Sequence, residues 1–419
     1  MSTEKKVQRA GIGTLATLCS IPIIMVLGNS MLIPVFSTIQ NVYGISSSKV
    51  GLLITLFSFP AALMIPIAGF LADRIGRKKV IIVSLFIYGI GGILSGIVAI
   101  TGGGFGLLLW TRVIQGIGAA GTAPIAMVLT SDLFDKAQRS KALGTIEAAN
   151  GMGKVLSPIL GAVISLISWY AMFFIFPILC VPTAIALWML INEKKVKDVP
   201  SFHTYMDHIK DIFHKHGRWL SVAFYVGAIT MFTMFGTLFI LSDTLENTYH
   251  FVGVKKGLFL AIPLLALCTT SYLTGGHIKD QIGKMKHLIL IGLLFLGTPL
   301  LAVPWVDNRY LLIILFSVIG IGAGLILPCL NMMITSAIRL KERGIITALY
   351  SSVRFFGVAL GPPVFGALSK KPYLLYFGTS ALIVLALLLC LFLIHRPQRI
   401  HGKDERSRIL VIKKQLHPS

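Results

Sequence analysis

Charge is scarce in this sequence. Asp, Glu, Lys and Arg make up only 13% of its 419 residues, against about 25% in soluble proteins. Acid is the scarcer sign, with 16 Asp and Glu beside 38 Lys and Arg. So small a polar complement cannot solvate a globule of this length, and a bilayer must be the solvent for much of the chain. Cysteine is sparse and scattered. Cys19, Cys180, Cys268, Cys329 and Cys390 each fall alone within an apolar run. That excludes a disulfide framework and a zinc site, and leaves them as small packing residues. No nucleophile–base pair, metal-ligand spacing or appended domain stands out, so the reading is not an enzyme, with no metal and no cofactor. The net charge of +22 raises nucleic acid as a partner. The bases lie in short loops between apolar runs, however, where they orient a membrane protein, and no nucleic acid is expected.

Apolar runs are abundant. A spanning helix needs about 20 mainly apolar residues. Twelve runs qualify: 13–38, 49–72, 80–101, 105–131, 141–166, 169–192, 219–242, 255–276, 287–306, 310–337, 344–368 and 373–395. Open sheets cannot cross lipid, so these are helices. The first run exceeds a signal-peptide core and shows no small-residue cleavage pattern, so it reads as a retained span. Alternate connections carry the bases: Lys5, Lys6 and Arg9; Arg74, Arg77, Lys78 and Lys79; Lys136, Arg139 and Lys141; Lys194, Lys195 and Lys197; Lys279, Lys284 and Lys286; Arg339, Lys341 and Arg343; and the tail from Arg396. Lys255, Lys256, Arg309, Lys370 and Lys371 are exceptions. The asymmetry puts both termini in the cytoplasm of a multi-pass protein.

One charged stretch organises the chain. Residues 69–79 read Gly-Phe-Leu-Ala-Asp-Arg-Ile-Gly-Arg-Lys-Lys. Gly69, Asp73, Gly76, Arg77 and Lys79 recur as Gly276, Asp280, Gly283, Lys284 and Lys286, at a constant offset of 207. A second repeat pairs Gly116–Pro124 with Gly320–Pro328 at an offset of 204, and Arg139, Gly153 and Pro158 with Arg343, Gly357 and Pro362. The expected architecture is therefore two pseudo-symmetric six-helix bundles, 1–192 and 219–395. Between them runs a cytoplasmic linker, 193–218, and a basic tail follows at 396–419. In the linker Ile209, Ile212 and Phe213 share one helical face, which reads as an amphipathic interfacial helix. Its His203, His208, His214 and His216 read as a solvated face.

The Asp73 loop is at least a basic turn. Gly69 and Gly76 permit close approach and a tight turn. Asp73 can face a helix N-terminus, while Arg74, Arg77 and Lys78 can pair with acids on a neighbouring helix. Together these contacts make a gate that breaks as a unit. Gly116–Gly121 matches the dinucleotide fingerprint literally, but it lies inside an apolar helix, where small residues serve close packing.

These motifs carry a resemblance. Residues 69–78 match every fixed position of Gly-x-Leu-Ala-Asp-Arg-x-Gly-Arg-Lys, which is similar to the loop between spans two and three of the drug:proton antiporters of the major facilitator superfamily. Arg112, Gln115, Gly116 and Gly118 resemble that family's fourth-span motif. Gly144, Gly153, Ser157, Pro158, Gly161 and Ala162 keep the spacing of its fifth-span antiporter motif, with Ser157 and Ala162 departing from it but small. Gly357, Gly361 and Pro362 offer the counterpart in span eleven. The resemblance covers about 13–395 and implies twelve spans, alternating access and export. It also implies that Asp132, ending span four, partners the loop arginines.

Charges inside spans are costly unless paired or wet, and so point to function. Arg112 lies in span four. Glu147, Asn150 and Lys154 share one face of span five, and Arg354 lies in span eleven at the position equivalent to Asn150. Either Glu147 and Lys154 pair structurally, or Glu147 sits at the cytoplasmic end of the span, or this face lines a transport cavity. Arg112, Glu147 and Asp132 are the proton-coupling candidates. Asn29, Gln115, Asn150, Lys154, Tyr225, Asn331 and Arg354 are the cavity candidates. Met231, Phe232, Met234 and Phe235 crowd span seven near Tyr225, as core packing or as an adaptable apolar wall. The expected function is proton-coupled efflux of small amphipathic organic compounds, of the multidrug-resistance kind. The gradient supplies the energy, and the partners are small-molecule substrate, protons and the lipid bilayer of a bacterial cell membrane. A monomer is expected to suffice. The bias towards Lys154 and Arg354 keeps open an alternative, a dedicated exporter of an anionic or zwitterionic metabolite.

Overall fold

The structure is a computed structural model that describes residues 11–134, 136–193, 202–277, 282–337 and 343–394. The two chain ends and Asp280 lie outside the described residues, as does part of the 193–218 linker. Among the described residues all regular structure is helical.

Eleven helices are long and apolar enough to cross a membrane: Ile12–Tyr43, Ser47–Ile75, Arg77–Ile100, Phe105–Leu133, Met172–Leu190, Gly217–Asn247, Gly253–His277, Lys284–Trp305, Arg309–Ser336, Gly344–Leu368 and Pro372–Leu393. The remaining span is the fifth, Lys136–Ile164. It is as long as its neighbours, but Lys141, Glu147, Asn150 and Lys154 dilute its apolar character. A helix this polar is tolerated in a bundle where it faces partners or water rather than lipid.

Three spans depart from simple rods. Span one is helical over Ile12–Ser30, tightens into a 3-10 turn at Ile33–Val35 around Pro34, and resumes over Phe36–Tyr43. Span four, expected to be continuous, breaks into Phe105–Ala120 and Ala123–Leu133. Gly121 and Thr122 leave helical geometry there, and Pro124, which has no N–H to donate, opens the second piece. The linker's amphipathic stretch is not set apart from span seven. One helix of 46 residues runs from Phe202 to Asn247, because nothing stronger than Gly217 interrupts it. Within this extension Ile212 is buried, and Phe213 packs edge-on against Phe224 further along the same helix.

The halves meet chiefly along two helix pairs. Span two lies antiparallel to span eleven for its whole length. Gly51 abuts Pro362 and Pro363, Thr55 donates to the Ala359 carbonyl at 2.6 Å, Phe59 packs edge-on against Phe356, Ser352 donates to the Ala62 carbonyl, and Gly69 faces Ala348. Span five meets span eight, where Cys268 Sγ lies 3.0 Å from the Gly151 carbonyl and Gly257 fits against Pro158 and Ala162. Gly161 and Gly153 press span five onto span one at Met31 and Ile23. Gly257 is required here, since a Cβ would sit 2.7 Å from the Pro158 oxygen.

Candidate functional site

Spans five and eight touch from residue 151 to residue 162 of span five. Towards the other end, Gly144 on span five and Gly275 and Gly276 on span eight meet nothing within 4 Å. Glu147 sits just past the last contact, exposed, and Asn150 Nδ2 donates to it at 3.4 Å. Lys154 follows two turns on, within electrostatic reach of Glu147, Cys268 and, from span eleven, Arg354. Arg354 lies over the Tyr350 ring at 5.5 Å, and its Nε and the Asn150 Oδ1 are buried without a hydrogen-bond partner. The structure thus gathers Glu147, Asn150, Lys154 and Arg354 from two halves into one polar cluster. Two cations, one acid and two unsatisfied polar atoms make it able to hold an oxygen-rich or acidic group.

Arg112 belongs to a different place. It is wholly buried. Its Nε donates to the Leu53 carbonyl at 3.2 Å, one terminal nitrogen to the Gly28 carbonyl at 2.6 Å, and the other to Gln115. The guanidinium also lies 4.5 Å over the Phe57 ring. It therefore braces spans one, two and four through carbonyls rather than meeting Glu147. Asn29 accepts from Ser58 at 3.0 Å beside this brace. Gly91 and Gly116 let the backbones close around it, against Gln115 and Phe57.

Tyr225 donates to the Leu382 carbonyl of span twelve at 3.0 Å. Met231, Met234 and Phe235 are buried, and Phe232 packs on Phe365. Asn331 is half-buried on span ten.

The Asp73 loop forms a closed polar knot. Arg77 donates to Asp73 at 3.1 Å and pairs with Asp132 of span four. Gly76 turns with φ +103°, a conformation that disfavours any other residue. Arg74 is exposed. Asp73, Gly69 and Arg77 share a small, open cleft with Gly344 and Thr347, at the start of span eleven. The sequence reading missed one member. Glu193, after span six, accepts the backbone N–H groups of Arg77 at 2.8 Å and Lys78 at 2.9 Å, the first donors of span three. Lys78 answers with bonds to the Trp188 and Ile191 carbonyls at 2.8 and 2.6 Å. The available signal was a lone acid at the end of an apolar run, beside Lys194 and Lys195. In the second repeat Gly283 lies in the first turn of helix Ile282–Ala302 and Lys284 is exposed.

Two six-helix halves, a seam of paired helices and a polar cluster between them define a membrane transporter. Residues 18–286 and 224–417 match the model of the Major Facilitator Superfamily, and the chain belongs to that superfamily. It is 42% identical to the Bacillibactin exporter of Bacillus subtilis (strain 168), over 92% of this chain and 98% of that protein. It is 28% identical to the Multidrug efflux protein YfmO of the same organism, over 83% and 84%. Among solved structures it resembles the human organic anion transporter MFSD10 (TETRAN), with a TM-score of 0.71 and 16% identity over 90% of this chain and 99% of that one. A bacterial homolog of the human lysosomal transporter Spinster, inward-facing and unoccupied, gives a TM-score of 0.69 and 17% identity over 90% and 94%.

Proposed function

We propose that the chain is a proton-coupled exporter that expels small organic compounds from a bacterial cell by alternating access, as a monomer with both termini cytoplasmic. The observation that carries this reading is the polar face of span five, where exposed Glu147 joins Asn150, Lys154 and, from the opposite half, Arg354 in one cluster. In the open arrangement water reaches the carboxylate. When the halves close around it, a carboxylate that Lys154 does not balance costs several kcal/mol in a dry interior, so closing favours the neutral, protonated carboxyl whenever Lys154 is engaged elsewhere. Proton uptake and release at Glu147 would thereby be tied to the swing of the halves. Arg112 contributes by fixing the wall formed by spans one, two and four.

A second reading has its own support: a dedicated exporter of one acidic or zwitterionic metabolite. Lys154 and Arg354 outnumber Glu147 in the cluster, and the 42% relative is named for a single compound, bacillibactin. The experiment is transport into everted membrane vesicles, across bacillibactin and a panel of cationic, neutral and anionic drugs, with and without a pH gradient. Gradient-driven uptake of many amphipathic compounds supports the first reading. Gradient-driven uptake of bacillibactin alone, or of acidic compounds only, supports the second. Equal uptake after the gradient is collapsed would remove proton coupling from both.

A further inference from the structure

We propose that Asp243, Ser47, Glu246 and Lys256 form a second latch, which holds the two halves shut at the end of the molecule opposite Asp73. Lys256 opens span eight and is only 1% exposed. Its ammonium meets Glu246 Oε2 of span seven at 2.6 Å and lies within electrostatic reach of Asp243, one turn earlier. Asp243 accepts from Asn247 at 3.1 Å and, across the seam, from Ser47 Oγ at 3.4 Å, a hydroxyl whose one proton is shared with Gln40 Oε1 of span one at 3.1 Å. Ser47 is the first helical residue of span two, so the carboxylate stands at a helix N-terminus, where an anion is favoured. Span two belongs to the first half and spans seven and eight to the second. The Asp243–Ser47 contact is therefore an inter-half bond anchored on a buried ion pair.

Its surroundings make it cooperative. Next to Asp243, Ser242 donates to the Ile33 carbonyl at the kink of span one, at 2.7 Å. Gly366 packs on the Ser48 backbone, and Gly257, adjacent to Lys256, packs on Pro158. Rocking the halves apart at this end would break the hydrogen bonds and the glycine contacts together. Lys256 fixes the geometry from behind, since it holds Glu246 and attracts Asp243 without reaching the first half. The chemistry matches the Asp73 end, where an acid at the end of span two shares a cleft with the start of span eleven. The two latches join different helices, so they are not copies produced by the sequence repeat. The bonds of the Asp73 knot lie within the first half and coexist with this latch, whose Asp243–Ser47 bond crosses the seam; opening the molecule at this end should close the gap between spans five and eight at the other.

The test measures distances between paired spin labels in the purified full chain, with the five native cysteines replaced. Val42→Cys with Val252→Cys reports this end, since both positions are more than half exposed. Thr145→Cys with Tyr272→Cys reports the other. Asp243→Asn and the milder Ser47→Ala should each raise the population with a long Val42–Val252 distance about tenfold, the scale of one charge-assisted hydrogen bond, and shorten the other pair in step. Asp307→Asn removes a carboxylate from an exposed loop of the second half and should change neither distance. Unchanged distributions in both Asp243→Asn and Ser47→Ala overturn the latch. An equal shift in Asp307→Asn also overturns it, because general loss of charge would then suffice.

Discussion

Arg112 shows what one residue's chemistry can demand of a fold. Its partners are two backbone carbonyls and an amide rather than an acid, and reaching all three needs the planar fork of a guanidinium. Arg112→Lys retains the charge and loses that reach. It should lower thermal stability in detergent by about 2 kcal/mol, the worth of one or two hydrogen bonds to a charged group, as read by the unfolding midpoint, and should slow transport at normal expression. A midpoint equal to wild type would show the brace to be idle. The motif that flags Arg112 was legible in the sequence, but its partners were not, because Gly28 and Leu53 lie 84 and 59 residues away. Three of the five charge exceptions resolve at the same scale. Lys256 is consumed by Glu246, while Lys255 and Arg309 lie over the Phe251 ring at 3.9 and 5.3 Å. For Lys154 the prediction turns on partnership. If it only balances Glu147, the double replacement by Ala should restore transport lost in either single variant. If it holds cargo, the double variant stays impaired, and Lys154→Ala loses acidic ligands selectively in a binding assay.

Among the helices, span five is the most informative. Its glycines share one motif but not one job. A Cβ on Gly161 would come within 2.1 Å of the Met31 carbonyl, whereas one on Gly144 would meet nothing. Gly161→Ala should therefore destabilise the protein by about 1–3 kcal/mol, the usual range for overpacking, and Gly144→Ala should leave the unfolding midpoint unchanged. Equal effects would dissolve the distinction between a packed and an open end of the span. Span six ends on another element-scale device. Glu193 caps the start of span three, as the helix dipole favours, and Glu193→Ala should cost about 1 kcal/mol. Span boundaries were legible to within a few residues because hydropathy sets them. The break in span four and the 46-residue run of span seven were not, since each depends on whether a local breaker is overruled by packing. Span ten shows this directly: Pro328 sits inside an unbroken helix Arg309–Ala337, while Pro124, its partner in the repeat, begins a new piece after Gly121 and Thr122 leave the helix.

At the scale of the whole molecule, the repeat offsets in the sequence foretold two halves, and the seam between spans two and eleven and between spans five and eight is where they meet. Orientation depends on the bases. At the Asp73 end they serve the fold as well as the membrane: Lys78 binds the last carbonyls of span six, and Lys286 binds the Leu391 carbonyl of span twelve at 2.8 Å. A cation at a helix C-terminus is favoured by the dipole, so the same residues that the positive-inside rule expects on the cytoplasmic side also pin the closing helix of each half to the start of span three or nine. That double duty predicts one sidedness for the entire bundle. Gly104, with open space around it, lies at the opposite end from exposed Lys284. In a background free of native cysteines, a thiol reagent that cannot cross the membrane should label Gly104→Cys in intact cells and label Lys284→Cys only after the membrane is opened. The reverse pattern would invert the molecule and with it the direction of export. Labelling of both from outside would mean that an even number of spans separates the two positions in place of the five described, and the twelve-helix arrangement would fall.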